Sequence, residues 1–216
     1  MKKLFGILLS VLMITSCSTT TTKNKAYSKM YTEKPTSITV LPVVNNSTAA
    51  DAPLLYLSTV AEPLANNGYY VFPIEITNQM FTKEGITSGR QLESVPIKKY
   101  GEMFGTDSVL SVTINKWDTN YIVIAGDVTV ELETKIMSTR TGETLWSQKR
   151  TLSVPTQQQS SGFILVDLIT TAISTAMTDY IPVARRLNQI VFSTVPAGKY
   201  SVKHGKDGDQ VIHITK

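Results

Sequence analysis

From Tyr121 to Ile136 apolar and polar side chains alternate, and that pattern commits a large part of the chain to antiparallel β-structure. Ile122, Ile124, Val128, Val130 and Leu132 fall on one side, and Asp127, Glu131, Glu133 and Lys135 on the other. Successive side chains of a strand point to opposite faces, so this one-sided pattern predicts one face in a core and one in water. Asp107 to Asn115 alternates in the same way, with Leu110, Val112 and Ile114 together. Thr139-Arg140-Thr141-Gly142 reads as a turn, and Leu145 to Leu152 as the returning hairpin strand, carrying Trp146.

Upstream the period changes. Ser37 to Val44 is β-branched and apolar and ends at Asn45-Asn46-Ser47, which predicts a buried strand and a turn. Asp51 or a neighbouring Thr is placed to cap the next helix, with Pro53 in its first turn. Leu54, Leu57, Ala61 and Leu64 then share a face, Pro63 is expected to kink or shorten the helix, and Asn67-Gly68 ends it. Tyr69 to Ile74 reads as a second strand, and two strands joined through one helix predict a parallel crossover. Further helices are expected at Thr77 to Lys83 and at Ile97 to Phe104, the second closed by Gly105.

The longest expected helix runs from Ser160 to about Asn188, with Pro182 disturbing its later part. Phe163, Val166, Ile169, Ile173, Met177 and Tyr180 form one stripe, which Leu165, Leu168 and Ala172 widen beyond what one sheet face needs. Core burial accounts for the stripe; the extra width makes Phe163, Val166, Ile169, Ile173 and Met177 candidates for a partner contact. A membrane-spanning reading fails, because Asp167 and several Ser and Thr interrupt a short run. The expected fold is α/β (α+β): a mixed sheet with a parallel βαβ start and an antiparallel hairpin, with helices packed on it.

The N-terminus carries a different message. Met1, Lys2 and Lys3 precede an apolar run from Leu4 to Ile14. A helix of about 11 residues covers roughly half of a hydrocarbon core near 30 Å, so the run reads as a secretion signal. Ile14-Thr15-Ser16-Cys17 resembles the bacterial lipobox, in which the cysteine becomes lipid-modified and N-terminal. Cys17 is the sole cysteine of 216 residues; an internal disulfide is impossible, and lipidation would occupy an otherwise lone thiol in an oxidising compartment. By resemblance to lipoprotein sorting, Ser18 in place of an Asp implies the outer membrane.

The expected organisation is a signal peptide over 1–16, a lipidated cysteine and flexible tether over 17–35, and an α/β domain over 36–192. A turn-rich C-terminal extension completes it over 193–216, where Tyr200-Ser201-Val202 and Val211-Ile212-His213-Ile214 are candidates for a small hairpin. The tether is inferred from a Thr-, Lys- and Asn-rich composition with little to bury. After cleavage 19 basic side chains face 17 acidic ones, scattered along the chain. Together with an exported location, this argues against a nucleic-acid partner.

A catalytic reading finds no machinery. His204 and His213 lie in the C-terminal extension, and with Asp207 and Asp209 they match no regular metal-ligand spacing. No Gly-x-Ser-x-Gly elbow, phosphate-cradling loop or His-Glu-x-x-His helix is present, and no cofactor is called for. Ser88-Gly89-Arg90 reads as loop, and Glu131 and Glu133 as a solvated strand face. Two functions remain: an envelope component acting through protein contacts, and a periplasmic ligand- or peptidoglycan-binding module using Tyr56, Trp117 and Tyr121 as exposed aromatics.

Ser37 to Val44, Leu57 to Pro73, Phe104 to Trp117 and Thr141 to Trp146 together resemble an uncharacterised family of bacterial outer-membrane lipoproteins, often encoded beside a CsgG-like secretion lipoprotein. The resemblance is most specific through Gly68-Tyr69-Tyr70-Val71-Phe72-Pro73. Where the family tends to have Pro-Pro-Gly-Pro-Tyr, this chain has Val195-Pro196-Ala197-Gly198-Lys199-Tyr200. What the resemblance implies is a domain similar to the N-terminal domain of TolB. It further implies a role in an envelope secretion or assembly machine and supplies no catalytic residues; self-association and a CsgG-like envelope partner are expected through the sheet edge or the wide face of the Ser160 helix.

Overall fold

The computed structural model describes residues 18–122, 125–155 and 180–215. Its central sheet has the order β4-β2-β5-β6-β7, formed by Tyr70–Val71, Ser37–Val40, Ser108–Ile122, Ala125–Ser138 and Thr144–Pro155, with the short β3 (Val44–Asn45) also pairing to β5. β2 runs parallel to both β4 and β5, while β5, β6 and β7 form an antiparallel meander. The mixed sheet and its parallel start are as the periodicity predicts.

Alternation explains the meander. Val128, Val130, Leu132 and Ile136 of β6 are buried, and Leu110, Val112 and Ile114 of β5 lie on the same side. Two helices cover that face: α3 (Ala52–Asn66) and α6 (Ile181–Phe192). The expected α3 face is rotated. Ala52, Tyr56, Val60 and Leu64, at spacings of four, are buried, whereas Leu54 points outward at 69% exposure. Tyr56 wins the core position because its hydroxyl has a partner there: it donates to Asn188 Oδ1 at 3.0 Å, and Asn188 Nδ2 donates to Thr59 Oγ1 at 2.9 Å. Pro63 stays inside a helix that continues to Asn66.

On the opposite face, α4 (Ile74–Lys83), a 3-10 turn (Gly89–Leu92) and α5 (Lys98–Phe104) enclose a second, smaller cluster of Leu41, Phe81, Leu92, Tyr100 and Val109. The remainder of that face carries surface ion pairs, Lys149 to Glu131 at 3.0 Å and Lys135 to Glu133 at 2.7 Å.

The segment expected to be a flexible tether is folded. Ser18–Thr22 forms β1, and α1 (Lys23–Ala26) and α2 (Ser28–Glu33) follow it. Low average hydrophobicity concealed three inward residues, Lys23, Tyr27 and Met30, at 3%, 7% and 2% exposure. The Thr run suits a strand because β-branched side chains do, once a partner strand is supplied. That partner is β8 (Val211–Thr215), which pairs antiparallel with β1, from Ser18 opposite Thr215 to Thr22 opposite Val211. The expected hairpin within the C-terminal extension is therefore replaced by a pairing of the two ends of the described chain. The long helix predicted from Ser160 falls largely on 156–179, outside the described residues. So do the signal segment and Cys17.

Candidate functional site

Cys17 stands one residue before β1, so the structure around that strand is what a lipid on the cysteine would hold. α1 is stitched to the C-terminal segment, Lys23 N donating to Gln210 O at 3.0 Å and Asn24 N to Gly208 O at 2.9 Å. The Lys23 ammonium is buried 3.2 Å from Asp207 Oδ2 and also donates to Val195 O at 3.1 Å. Asp207 accepts two further hydrogen bonds, from the Tyr31 hydroxyl at 3.0 Å and Ala197 N at 2.9 Å. Burial pushes the Lys23 pKa down while its hydrogen bond and charge contact with Asp207 oppose the shift. Burial, and then the hydrogen bond and charge of Asp207, push the Tyr31 phenol up, keeping it a donor. Asp207 is thereby occupied in a structural clasp rather than offered to a metal.

The histidines are equally local in their contacts. His204 Nδ1 lies 3.0 Å from Ala197 O, and His213 Nδ1 lies 3.3 Å from Thr20 Oγ1. Among the described residues no group of three or more His, Cys, Asp or Glu is gathered so as to hold a metal. A cleft of about 110 Å³ sits between α2 and the C-terminal segment, bordered by Tyr31, Tyr69, Pro196 and His204.

The stretch beginning at Gly68 and the Val195 to Tyr200 segment meet here. Gly198 N donates to Asn67 O at 2.9 Å, Tyr200 N to Gly68 O at 3.0 Å, and the Tyr69 hydroxyl to Pro196 O at 2.7 Å. Gly68 has φ +91°, and a Cβ on Gly198 would fall 2.3 Å from Gly68 O. Backbone approaches backbone at a distance that only glycine permits. Sequence reading found both stretches but had no means of pairing them.

Thr141 to Trp146 acts as expected, as a turn followed by an anchoring aromatic. Trp146 is buried against Tyr27 and Phe192, and its Nε1 donates to Thr194 Oγ1 at 3.1 Å. Glu33 of α2 grips the same turn, accepting from Ser138 Oγ at 2.5 Å and Thr141 Oγ1 at 2.9 Å, with Arg140 Nη2 at 3.3 Å.

The aromatic ligand surface expected at Tyr56, Trp117 and Tyr121 is not formed. Tyr56 and Trp117 are 0% and 1% exposed, and the Tyr121 side chain lies outside the described residues. Trp117 turns inward because β5 carries a bulge between Ile114 and Lys116, and one extra residue reverses the alternation. It faces Val130 across the strands and stacks on Tyr180 at 5.3 Å between ring centres. The partner-contact candidates Phe163, Val166, Ile169, Ile173 and Met177 all lie outside the described residues.

The sequence profile of the GNA1162-like lipoproteins matches residues 25–194. A Neisseria meningitidis serogroup B protein named as a lipoprotein, NMB1124/NMB1162, is 29% identical over 181 residues, spanning 83% of this chain and 84% of its own. The crystal structure of lipoprotein GNA1162 from Neisseria meningitidis is similar with a TM-score of 0.56 at 29% identity, over 66% of this chain and 98% of that one. The PelC dodecamer from Paraburkholderia phytofirmans gives a TM-score of 0.48 at 17% identity, over 77% of this chain and 91% of that one. Lys23, Asp207 and both strands of the β1–β8 ribbon lie outside the span that the family profile matches.

Proposed function

This chain belongs to the GNA1162-like lipoprotein family, and from that premise we propose a non-enzymatic, lipid-anchored protein of the bacterial outer membrane that acts in the periplasm through protein contacts. Its role in this reading is that of an accessory component of an envelope secretion or assembly complex. It associates with itself and with a CsgG-like lipoprotein, and the stripe of Phe163, Val166, Ile169, Ile173 and Met177 is the candidate contact. The observation that carries the proposal is Cys17: it closes a lipobox-like Ile14-Thr15-Ser16-Cys17 after a short apolar run, in a chain of a lipoprotein family.

The test is made on the full chain expressed in a bacterium. Mass spectrometry of the N-terminal peptide of the membrane-extracted protein is expected to find it beginning at Cys17 and carrying acyl mass. Crosslinking of the intact envelope is expected to recover self-crosslinks and an envelope secretion lipoprotein, both weakened by Cys17→Ala. An unmodified Cys17 refutes the anchor, and recovery of glycan fragments alone, indifferent to that substitution, refutes the assembly role.

A further inference from the structure

The two ends of the described residues fold together into one basic body. Residues 18–35 and 193–216 hold eight lysines against three carboxylates, whereas residues 36–192 hold 11 basic side chains against 14 acidic ones. Lys23 and Asp207 neutralise each other in the interior, and Lys25, Lys34, Lys199, Lys203 and Lys206 are exposed. Among these lysines stand three of the four most exposed large apolar side chains of the described residues: Val202 at 89%, Tyr200 at 67% and Val211 at 60%. An aromatic, an aliphatic and several lysines on one exposed segment suit a phospholipid interface, where apolar bodies enter the headgroup layer and ammonium groups meet phosphate.

Position reinforces composition. One peptide unit, about 3.5 Å, separates Cys17 from β1, because the residues expected to form a tether are folded. The ribbon of five residue pairs spans roughly 17 Å, so the loop at its far end can reach a surface that holds Cys17 when the ribbon lies along that surface. We infer that the segment from Lys199 to Val211 is a second membrane contact, docking on anionic phospholipid headgroups beside the lipid anchor. The described residues of 36–192 carry 11 basic against 12 acidic side chains and offer no comparable attraction, so the basic module faces the membrane. This docking rests on the lipid at Cys17 for its location, but not for its chemistry.

Cys17 is the sole cysteine, so lipidation leaves an added thiol free for specific labelling. Lipidated full-length Val202→Cys carries an environment-sensitive fluorophore and is reconstituted into phosphatidylcholine vesicles with or without phosphatidylglycerol; Leu54→Cys on α3 serves as reference. Expected is a blue shift at 202 on the anionic vesicles alone, reversed by salt, with no change at 54. Lys199→Gln, Lys203→Gln and Lys206→Gln together are expected to lower the docking equilibrium about a hundredfold, at roughly fivefold per lysine. A water-like probe at 202 on protein that remains vesicle-bound overturns the docking and leaves the anchor intact. A 202 response from protein lacking acyl mass on Cys17 removes the anchor and retains the docking. A response evoked only by soluble peptidoglycan fragments overturns the phospholipid assignment.

Discussion

Lys23 shows how much a single buried charge organises. Its ammonium and the Asp207 carboxylate join residues 184 positions apart, with side chains 4% and 5% exposed. Removing one partner strands the other charge away from water, which costs about 3–5 kcal/mol where a pair is fully buried. Lys23→Met is expected to lose stability on that scale in denaturant unfolding of the purified protein. Asp207→Asn keeps one acceptor oxygen, which can serve Ala197 N or the Tyr31 hydroxyl but not both, and it too strands the Lys23 ammonium, so its expected loss is on the same scale. Gly198 presents a steric version of the same dependence. Gly198→Ala places a methyl group against Gly68 O and is expected to lower the thermal midpoint by several degrees, more than the same change at Gly85, where a Cβ would meet nothing within 4 Å.

Among the elements, β5 and α2 carry the instructive cases. The β5 bulge lets Trp117 face inward, and deletion of Asn115 would join Ile114 to Lys116 in plain alternation with the ring still opposite Val130, so the position is tested by Trp117→Ala. The expected loss is that of truncating a buried Trp, about 3–5 kcal/mol, read as a lower midpoint and weaker near-ultraviolet circular dichroism. α2 is tied to the β6–β7 turn by Glu33. Burial raises the Glu33 pKa, but hydrogen bonds from Ser138, Thr141 and Arg140 outweigh it and hold the carboxyl below its ordinary 4.5. A group held low in the folded state stabilises above its unfolded value and stops doing so as pH falls through the folded one. Stability is therefore expected to decline below about pH 4.5, and Glu33→Gln should flatten that part of the acid-unfolding curve.

For the whole molecule, the ends serve as part of the core. Val195 and Ile212 are buried in the same core as Tyr27 and Met30, and Arg150 of β7 donates to His213 O, linking the ribbon to the main sheet. Truncation after Pro196 removes β8, Asp207 and the Gly198 contact together. It is expected to free residues 18–35 as the disordered tether their composition describes, detected as fast amide exchange and early proteolysis near Lys25 and Lys29.

The sequence by itself determined what depends on local periodicity and chemistry. The one-sided alternation of β5 and β6, the turn and anchoring Trp146 of β7, the parallel start and the closure of α5 at Gly105 follow from side-chain patterns within a few residues. Cys17 likewise stands out from the short apolar run that precedes it. Only the tertiary structure decided features whose partners are distant. Thr19 to Thr22 cannot be read as a strand without β8, nor Lys23 as a core residue without Asp207. Tyr56 enters the core because Asn188 receives its hydroxyl, and Trp117 because one bulge residue shifts the register against β6. The physical reason is common to all four. Each takes its place only through a partner that no local pattern reveals: a second strand, a counter-charge, a side-chain amide or the register against a neighbouring strand.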